Sequence, residues 1–392
     1  MAEVTNYIDR LVAELCPDGV DFYTIDELIT LDFGTRITKS KDAGTIYPVY
    51  GGGGASFRTD NYNREDKYVV SRFAMSEKCV RYVSGKFWML DSGFTYSVKD
   101  ESLLSYKYIS YWLLNAQQEI YACASQSAQR NLKTAEFKRF EVPVPPLEIQ
   151  EAIVEILDKF TNLEAELEAE LEARTLQYEY YRDSLFEALD CPRVPLGSFA
   201  RLVRGSGMPK TDFSESGVGA IHYGQIYTKF GTATAEVIAH VPEDKAKKLA
   251  VVNPGDVIVA NTSENLEDVC KAVAWVGESD IVTGGHATVI KAPEQNAKFI
   301  SYYMATGQFN KDKRRHAFGT KVIDVAPKNL AKIEFPVPSL EEQQRIVDIL
   351  DRFDSLTSSL SEGLPAELTA RRSQYEYYRD QLLSFPRKGE NQ

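Results

Sequence analysis

The sequence predicts a mixed α/β protein that contains two similar globular blocks, each followed by a long amphipathic helix. The first observation is an internal repeat: VPVPPLEIQEAIVEILDKF at 142–160 returns as FPVPSLEEQQRIVDILDRF at 335–353. The second is QYEYYRD, which occurs at 177–183 and again, unchanged, at 374–380. Landmarks that return in the same order indicate a duplicated architecture. The third is the alternation of strand-like and helix-like stretches, which predicts the α/β class.

The order of these landmarks divides the chain into five segments. With 392 residues, the chain is long enough for two ordinary domains. The predicted segments are an N-terminal helical tail at 1–20, a first block at 21–146, a central helix at 147–190, a second block at 191–339 and a C-terminal helix at 340–386. The two blocks differ strongly in sequence while the helices agree, which suggests two similar tasks with different specificities.

Each globular block is predicted to contain several strands and a closing helix. KYISYWLLNAQ returns as KFISYYMATGQ, which places the closing helices around 103–121 and 296–310. The strand-like stretches are rich in β-branched and aromatic residues. They lie at 67–75, 79–90, 93–99, 219–227, 255–261, 271–277 and 286–292.

The two long helices have clear beginnings. Proline removes a backbone donor, so the VPVP and FPVP stretches are expected to be extended segments that leave each block. Leu147 and Leu340 then begin the helices, with acidic residues in the first turn. Apolar residues at spacings of three and four, including the LEAE repeat at 163–173, predict a stripe that packs on another helix. Glycine and proline are expected to break the second helix near 361–366.

The charge of the chain is unevenly distributed. A net charge of −12 argues at first against a nucleic-acid partner. Residues 141–190, however, hold 14 Asp/Glu against 3 Lys/Arg, and residues 334–385 hold 10 against 5. The acidic residues are therefore concentrated in the helices, and the rest of the chain carries +4.

Composition predicts a cytoplasmic protein. No apolar run approaches the ~18 residues that a membrane span needs, and the N-terminus is an acidic amphipathic stretch rather than a signal peptide. The five cysteines show no CxxC spacing, which favours free thiols in a reducing compartment. The four histidines show no metal-ligand spacing. We therefore expect no membrane partner, no metal and no cofactor in this chain.

Recognisable catalytic motifs are absent from the sequence. GGGG at 51–54 lacks the Lys-Ser/Thr of a phosphate-binding loop, and no Rossmann fingerprint follows a strand. NPGD at 253–256 lacks the second proline and the aromatic ring of the amino-methyltransferase motif, so a β-turn is the better interpretation. No Ser/His/Asp or Cys/His set has local support. An enzyme is therefore not expected.

PxPPLxxQxxIVxxLDxF, duplicated around two variable blocks, resembles the specificity subunits of type I restriction-modification enzymes. The resemblance covers almost the whole chain. In the second block, the stretches at 205–226, 255–275 and 284–290 resemble one subfamily of target recognition domains. The first block has YPVYGGGG at 47–54 where the second has AIHYGQI. The first block therefore belongs to another subfamily and is expected to recognise another sequence.

This resemblance implies a function and a set of partners. In such proteins each target recognition domain recognises half of a bipartite double-stranded DNA target, and the two helices pair antiparallel and separate the domains. The helices also dock two methyltransferase subunits, which carry the S-adenosylmethionine site, and restriction subunits with an ATP motor are optional partners. The implied protein is a non-catalytic DNA-recognition subunit.

A function of another class stays open at this point. The second candidate, after a DNA-recognition subunit, is a coiled-coil scaffold whose globular blocks bind protein or glycan. The net positive charge of the blocks favours DNA over this alternative. A third alternative, an enzyme with an unrecognised site, would require turnover by the purified chain alone.

In the first block, the candidate DNA contacts lie in three polar-basic loops at 34–41, 50–58 and 125–133. Phosphates require cations, and base edges are recognised by planar amides, arginines and hydroxyls. The alternative without a DNA-binding role is that each Lys or Arg is a solvated surface charge and that GGGG is only a flexible turn. The candidates are Arg36, Lys39, Lys41, Tyr50, Arg58, Gln126, Gln129, Arg130 and Asn131.

In the second block, five loops carry the same kinds of residue. The strongest local signal is KDKRRHAFGTK at 311–321. Replacing its Lys313, Arg314 and Arg315 with Ala is expected to weaken DNA binding and flatten the salt dependence. Tyr223 and Tyr227 have strand packing as their alternative. The candidates are Arg204, Ser206, Lys210, His222, Tyr223, Gln225, Tyr227, Thr262, Ser263, His286, Lys313, Arg314, Arg315, Thr320 and Lys321.

The repeated QYEYYRD motif has two interpretations. Helical spacing places Tyr178, Tyr181 and Leu185 on one face, which predicts packing. Residues on other faces are identical in the two copies, which slightly favours a docking surface for a partner. The docking candidates are Tyr180, Arg182, Asp183, Tyr377, Arg379 and Asp380.

Overall fold

A computed structural model describes three stretches of the chain, residues 2–126, 129–357 and 363–389. These residues form two compact units. Unit 1 consists of Met1–Glu166 and Thr369–Gln392, and unit 2 consists of Leu167–Leu368. Each unit therefore contains one globular block and part of the long helices. Among the described residues, no helix combines the length and the apolar composition that a bilayer span requires.

The first part of the chain forms a six-stranded β-sheet with helices packed against it. Its elements are α1 (Ala2–Leu15), β1 (Asp21–Thr24), α2 (Ile25–Leu28), β2 (Ile29–Phe33), α3 (Lys39–Asp42), β3 (Tyr47–Gly51), β4 (Gly54–Thr59), β5 (Arg64–Ser71), β6 (Val80–Met89), β7 (Gly93–Val98), α4 (Tyr106–Asn115), α5 (Gln117–Ala122), α6 (Thr134–Phe137), β8 (Glu141–Val144) and α7 (Leu147–Glu187). The six-stranded sheet has the order β2-β7-β5-β6-β3-β4. Only β3 and β6 pair in parallel, and β8 leaves the block as the antiparallel partner of β1.

The second part of the chain forms two larger sheets and two two-stranded ones. Its elements are β9 (Arg193–Pro195), β10 (Arg201–Arg204), β11 (Val218–Ile221), α8 (Tyr223–Thr228), β12 (Ala233–Thr234), β13 (Ala239–Val241), α9 (Glu243–Ala246), β14 (Ala250–Val252), β15 (Val257–Ala260), β16 (Thr262–Ser263), β17 (Ala272–Trp275), β18 (Ile281–Thr283), β19 (Ala287–Lys291), α10 (Ala297–Met304), α11 (Gly307–Arg314), β20 (Ile323–Asp324), α12 (Pro327–Leu330), β21 (Glu334–Pro336), α13 (Leu340–Thr357) and α14 (Leu364–Leu382). One larger sheet has the order β10-β19-β15-β17-β12, the other has the order β13-β11-β18-β14, and the two-stranded sheets are β16-β20 and β21-β9. Strands β15 and β17 are buried on both faces, as their apolar runs require.

The predicted mixed α/β class and the duplicated architecture are confirmed. The proline-rich exits are extended, as β8 and β21, and the helices begin at Leu147 and Leu340 as expected. The second helix is interrupted: α13 ends at Thr357 and α14 begins at Leu364. Of the break expected near 361–366, residues 361 and 362 lie outside the described residues. Gly363, with φ of +82°, immediately precedes α14.

The helices of opposite repeats pack against each other. In unit 1, Phe160 of α7 stacks on Tyr378 of α14 with ring centroids 5.7 Å apart. Arg372 also donates to Glu164 at 2.6 Å. As α7 advances from 160 to 164 its partner runs from 378 to 372, so the helices are antiparallel there. The equivalent pair of unit 2 is Tyr181 on Phe353, at 5.6 Å.

One predicted strand is wrong in its second half. The stretch at 219–227 was expected to be extended, but β11 ends at Ile221 and α8 begins at Tyr223. The reason is a capping box at His222. Its Nδ1 accepts from the amide of Gly224 at 3.1 Å, and Oε1 of Gln225 accepts from the amide of His222 at 2.8 Å. Both bonds satisfy backbone donors at the start of a helix and so terminate the strand.

Candidate nucleic-acid interface

The predicted polar loops of the first block lie next to one another. Four hydrogen bonds link neighbouring loops. They run from Thr35 N to Met89 O (2.9 Å), from Leu90 N to Tyr50 O (2.9 Å), from Ser71 Oγ to Gly52 O (2.7 Å) and from Leu132 N to Arg72 O (2.8 Å). The loops at 34–41, 50–54 and 125–133 thereby share one surface with the ends of β5 and β6. A DNA-contacting surface requires such a gathering of polar groups from separate loops.

The cations of this surface differ in availability. Arg36, Lys39 and Lys41 are exposed at and just before α3. Arg58 is engaged instead, because its Nε donates to Thr45 O at 2.9 Å and its Nη2 donates to Ile46 O at 2.7 Å. Arg58 is itself exposed, so its role as a DNA contact stays a prediction. Its side chain fastens the turn that precedes β3.

The GGGG run forms a tight turn between β3 and β4. A Cβ at Gly52 would collide with the carbonyl oxygen of Phe73, and Gly54 has φ of +120°. Glycine is therefore required at both positions for close approach and for the left-handed backbone. Tyr50, at the end of β3, is half-buried and packs edge-on against Phe87 at 5.6 Å.

The third loop of the first block is described in part, since residues 127 and 128 lie outside the described ranges. Gln126 is exposed and Arg130 is half-buried, with its guanidinium 4.5 Å from the ring centroid of Tyr121. The Oδ1 atom of Asn131 is buried and accepts no hydrogen bond from a described residue. Gln129 is also exposed at this surface.

Two arginines that the sequence analysis missed lie at this surface. Arg81 donates from Nη2 to Gly51 O at 2.5 Å, and its guanidinium lies 5.9 Å from the ring of Tyr50. Burial lowers the pKa of Arg81. Arg72 lies between the rings of Phe33 and Phe73, at 5.0 and 4.6 Å. Within the described ranges, neither arginine forms an ion pair with a carboxylate. Both occur inside predicted strands, where sequence periodicity alone does not distinguish them.

The loops of the second block also converge, at the ends of β10 and β15 and the start of β19. Contacts between the loops are the bridge of Ser206 with Gly284, the bond from Asn261 N to His286 O at 2.7 Å, and the bond from the Tyr227 hydroxyl to Thr262 O at 2.8 Å. A Cβ at Gly205 would collide with the carbonyl of Gly284, which explains why small residues line this junction. The predicted loops at 201–210, 222–227, 261–265 and 284–286 therefore form one surface.

Three rings contact one another at tilted angles where these loops meet. The ring centroids of His222 and Tyr223 lie 4.4 Å apart, and those of Tyr223 and His286 lie 5.1 Å apart. His286 is exposed and adopts a left-handed backbone with φ of +67°. A non-glycine residue in this region carries strain, which is characteristic of functional sites. Tyr223 is helical and half-buried, so it is not strand core.

His222 is buried in its neutral form. Its Nδ1 accepts the capping bond from Gly224, so the ring proton of the neutral imidazole is on Nε2. Burial lowers the pKa of His222, and the charges of Lys210 and His286 lower it further. His222 therefore positions Gln225 and Tyr223 on α8 and is too buried, at 8% exposure, for broad contact with DNA.

Other candidates of the second block divide into exposed and structural residues. Arg204, the last residue of β10, and Ser206 and Lys210, which follow the strand, are exposed. Tyr227 packs against the core, and Thr262 is buried, so these two stabilise the block rather than face a ligand. Ser263 and Gln225 are half-buried.

Lys313 is buried, so its prediction as a DNA contact is wrong. The side chain is 2% exposed, and its Nζ donates to the carbonyls of Glu267 and Val269, both at 2.7 Å. Burial lowers the pKa of Lys313. Because this ammonium already bonds two carbonyls in the interior, it stabilises the block and does not contact phosphate.

The remaining basic residues near α11 lie on the surface. Arg314 pairs loosely with Glu267 at 3.4 Å, and the Arg315 side chain is 78% exposed. Thr320 and Lys321 are exposed on the turn before β20. Since β20 pairs with β16, this turn continues the surface formed by 261–265.

The QYEYYRD motifs prove to be mainly internal contacts. Arg182 is 9% exposed and donates to Asp183 at 2.8 Å. The other Asp183 oxygen accepts from the amide of Gly307 at 3.0 Å. Asp183 therefore ties α7 to the second block, and Arg182 is buried beside it, which is contrary to their interpretation as exposed docking residues.

The second copy of the motif also contains an arginine that makes an internal contact, beside residues that are exposed. Arg379 donates to the side chain of Asn115 at 2.7 Å, so it ties α14 to the first block and is also corrected. Tyr180 and Tyr377 are 70% and 59% exposed, and Asp380 is exposed as well. The solvent-facing tyrosines are the members of the motif that remain available to a partner.

The fold is that of a duplicated protein in which each block gathers polar loops into one surface, with different side-chain chemistry in the two blocks. Within the described ranges, no group of His, Cys, Asp and Glu is arranged to hold a metal ion. The model of the type I restriction modification DNA specificity domain matches this chain twice, at residues 17–173 and 194–370. The chain belongs to that family.

Curated relatives and solved structures agree with this assignment. A type I restriction enzyme specificity subunit of Escherichia coli is 33% identical over 308 residues, which is 74% of this chain and 73% of that protein. A putative one of Haemophilus influenzae is 25% identical, over 93% of this chain and 96% of its own. The crystal structure of a type I restriction-modification S subunit from M. genitalium shares the fold, with a TM-score of 0.56, 18% identity and coverage of 93% and 96%. The chain is therefore a DNA sequence-specificity subunit and not an enzyme in its own right.

Proposed function

We propose that each globular block recognises one half of a bipartite double-stranded DNA target. The observation that carries this proposal is the convergence of separate polar loops into one surface per block, around Arg72 and Arg81 in the first and around Tyr223 and His286 in the second. The duplicated scaffold with different surface chemistry supports two different half-sites. Arg36, Lys39, Lys41, Arg315 and Lys321 supply phosphate contacts, because they are exposed cations beside these surfaces.

Base recognition is assigned to planar groups at the two surfaces. Arg81 and the amides of Gln126 and Gln129 serve the first half-site, and Gln225 and His286 serve the second. Arginine and amide side chains form bidentate contacts with base edges in the major groove. The antiparallel helices set the spacer between the half-sites.

Two methyltransferase subunits dock on the chain, and they carry S-adenosylmethionine. The exposed Tyr180 and Tyr377 support this, because large aromatic side chains are enriched at protein interfaces and these two occupy equivalent positions in the two repeats. Restriction subunits with an ATP motor are optional partners. The site of action is the cytoplasm, which the free state of all five cysteines supports.

The test is a binding assay of the chain together with its methyltransferase partner. Sequencing of methylated bases in the source genome, with and without this gene, first identifies the target. A DNA fragment that carries this target should then bind more tightly than one with a scrambled half-site. Equal affinity for both fragments would contradict the proposal and would favour a scaffold that binds protein or glycan.

A further inference from the structure

In unit 1, an aspartate of the long helix holds two side chains of the recognition block. Asp158 of α7 accepts a hydrogen bond from the Tyr111 hydroxyl at 2.6 Å. Its other oxygen accepts from Lys107 Nζ at 2.5 Å. Tyr111 and Lys107 are four residues apart on α4, so both lie on one face of that helix. One carboxylate thereby fixes α4 against α7 at two points.

The same contact occurs in unit 2 with the equivalent residues. Asp351 of α13 accepts from the Tyr302 hydroxyl at 2.7 Å and from Lys298 Nζ at 2.8 Å. Tyr302 and Lys298 lie on α10, the counterpart of α4. Although the two blocks differ strongly in sequence, these three residue types and their geometry are the same in both. We call these groups the Asp158 contact and the Asp351 contact.

In both contacts the tyrosine is shielded from water, and its hydrogen bond to the aspartate is directional. Tyr111 is 3% exposed and Tyr302 is 1% exposed. Burial, followed by the hydrogen bond to the aspartate, raises the pKa of each tyrosine, so the phenol keeps its proton and donates it. Apolar packing alone tolerates small shifts between helices, whereas a buried hydrogen bond requires a narrow range of distance and angle.

A second duplicated contact fixes the start of each helix. Oε1 of Gln150 accepts from the amide of Ser105 at 2.8 Å, and its Nε2 donates to Pro145 O at 2.7 Å. Oε1 of Gln343 likewise accepts from the amide of Asn296 at 2.9 Å, and Nε2 donates to Pro338 O at 2.9 Å. The glutamine holds the first turn, and the aspartate holds the helix two turns later. Two fixed points determine the direction of a helix relative to its block.

We propose that Asp158 and Asp351 are positioning residues that hold each recognition block at a fixed angle on its helix and thereby enforce one DNA spacer length. This rests on the proposed function. Neighbouring base pairs are ~3.4 Å apart, so a block that moves by that distance contacts a half-site shifted by one step. A joint that is held only by apolar packing permits this movement more readily.

The experiment measures how sharply the protein and its methyltransferase partner select spacer length. Binding is compared on DNA fragments that carry both half-sites with the native spacer or with one base pair more or fewer. The variants are Asp158→Asn and Tyr111→Phe in unit 1 and Asp351→Asn and Tyr302→Phe in unit 2. Each should reduce the preference for the native spacer by about tenfold, the effect of losing one charge-assisted hydrogen bond. Preference for the bases within each half-site should be unchanged.

The matched controls are two other carboxylates on the same helices, Glu155, which is exposed, and Glu342, which is half-buried. Glu155→Gln removes an ion pair with Lys159 on α7, and Glu342→Gln removes one with Arg345 on α13. Neither control should change spacer selection. The Tyr→Phe variants keep the packing volume, so they test the proposal even where an Asp→Asn variant unfolds.

The outcomes separate this proposal from the proposed function. If the unmodified protein lacks sequence preference, the proposed function fails. If it selects sequence and spacer, and folded Tyr111→Phe and Tyr302→Phe proteins select the spacer as sharply, the positioning proposal is overturned. Loss of base preference in one half-site, with spacer selection intact, would also overturn it, because the contact would then shape the recognition surface itself.

Discussion

The two recognition surfaces are built on equivalent helices but carry different chemistry. The first relies on guanidinium groups, with Arg81 held against Gly51 and Arg72 between two phenylalanines. The second relies on imidazole, phenol and amide groups, and all four histidines of the chain occur in that block. The contacts to the helices are the same in both. The scaffold therefore fixes position, while the loops are free to diverge in what they contact.

This difference extends to the role of buried cations. In the first block, the partly buried Arg81 donates to the carbonyls of the glycine turn and remains beside Tyr50 at the surface. In the second block, Lys313 is turned into the interior and bonds two carbonyls there. Basic residues of similar appearance in the sequence thus lie at the proposed recognition surface in one block and in the interior in the other.

The variant with the largest expected effect tests the stabilising role of the buried cation in the second block. Lys313→Met leaves two buried carbonyls without a donor, so the free energy of unfolding should fall by about 2 kcal/mol or more. The slope of DNA affinity against salt should not change in the protein that remains folded. Chemical denaturation and salt titration measure the two quantities.

Arg315→Ala is the counterpart of that variant. Because its side chain is 78% exposed, stability should be unchanged, and the salt slope should fall by about one. Replacing Lys313, Arg314 and Arg315 together would change both the free energy of unfolding and the salt slope, so the two roles could not be separated. A Lys313→Met protein with normal stability and a reduced salt slope would reverse the assignment.

A smaller effect is expected in the second block from acidification into the range where histidine titrates. The folded state holds the pKa of His222 below the ordinary 6.5, so the unfolded chain binds a proton more readily. The free energy of unfolding of this block should therefore fall as the pH drops below about 6.5. Fluorescence of a variant that retains only Trp275, which is buried in this block, follows its unfolding.

Substitutions at histidine test the origin of this pH dependence. His222→Asn keeps a side-chain acceptor for the cap of α8 and should remove the dependence. His240→Gln is the matched control in the same block and should retain it. Equal pH dependence of His222→Asn and the unmodified protein would exclude His222 as its source.

The smallest expected free-energy change accompanies a change in helix length. Inserting one LEAE unit into the repeat at 163–173 adds ~6 Å of helix. At ~3.4 Å per base pair, the spacer of the methylated motif should lengthen by roughly one to two base pairs. The half-sites should keep their sequences, because the recognition surfaces are untouched. A motif with unchanged spacing would contradict the role of the helix as a spacer.

The periodic parts of the molecule were predictable from sequence. The duplication, the extended exits and the first residues of the two helices follow from repeated letters, proline and the spacing of apolar residues. The helix at α8 was missed because HYGQIY is rich in strand-forming residues and its cap is histidine, which is not a usual capping residue. Only the fold shows that the side chain of His222 accepts from the amide of Gly224.

The candidate surface was predictable as loops but not as individual side chains. Lys313 looked solvated in a basic run, yet it lies four residues after the buried Phe309 and so shares its helical face. This four-residue spacing was a signal in the sequence that Lys313 is buried. Arg72 and Arg81 offered none, because their position depends on contacts with distant residues such as Gly51 and Phe33.

The central claim is that each block recognises its own half-site. The most direct measurement is the methylated motif produced with Arg81→Met and, separately, with Gln225→Ala, compared with the unmodified protein. Each variant should relax base preference in one half of the motif, and the two variants should affect opposite halves. Relaxation of both halves by either variant, or of the same half by both, would contradict the account.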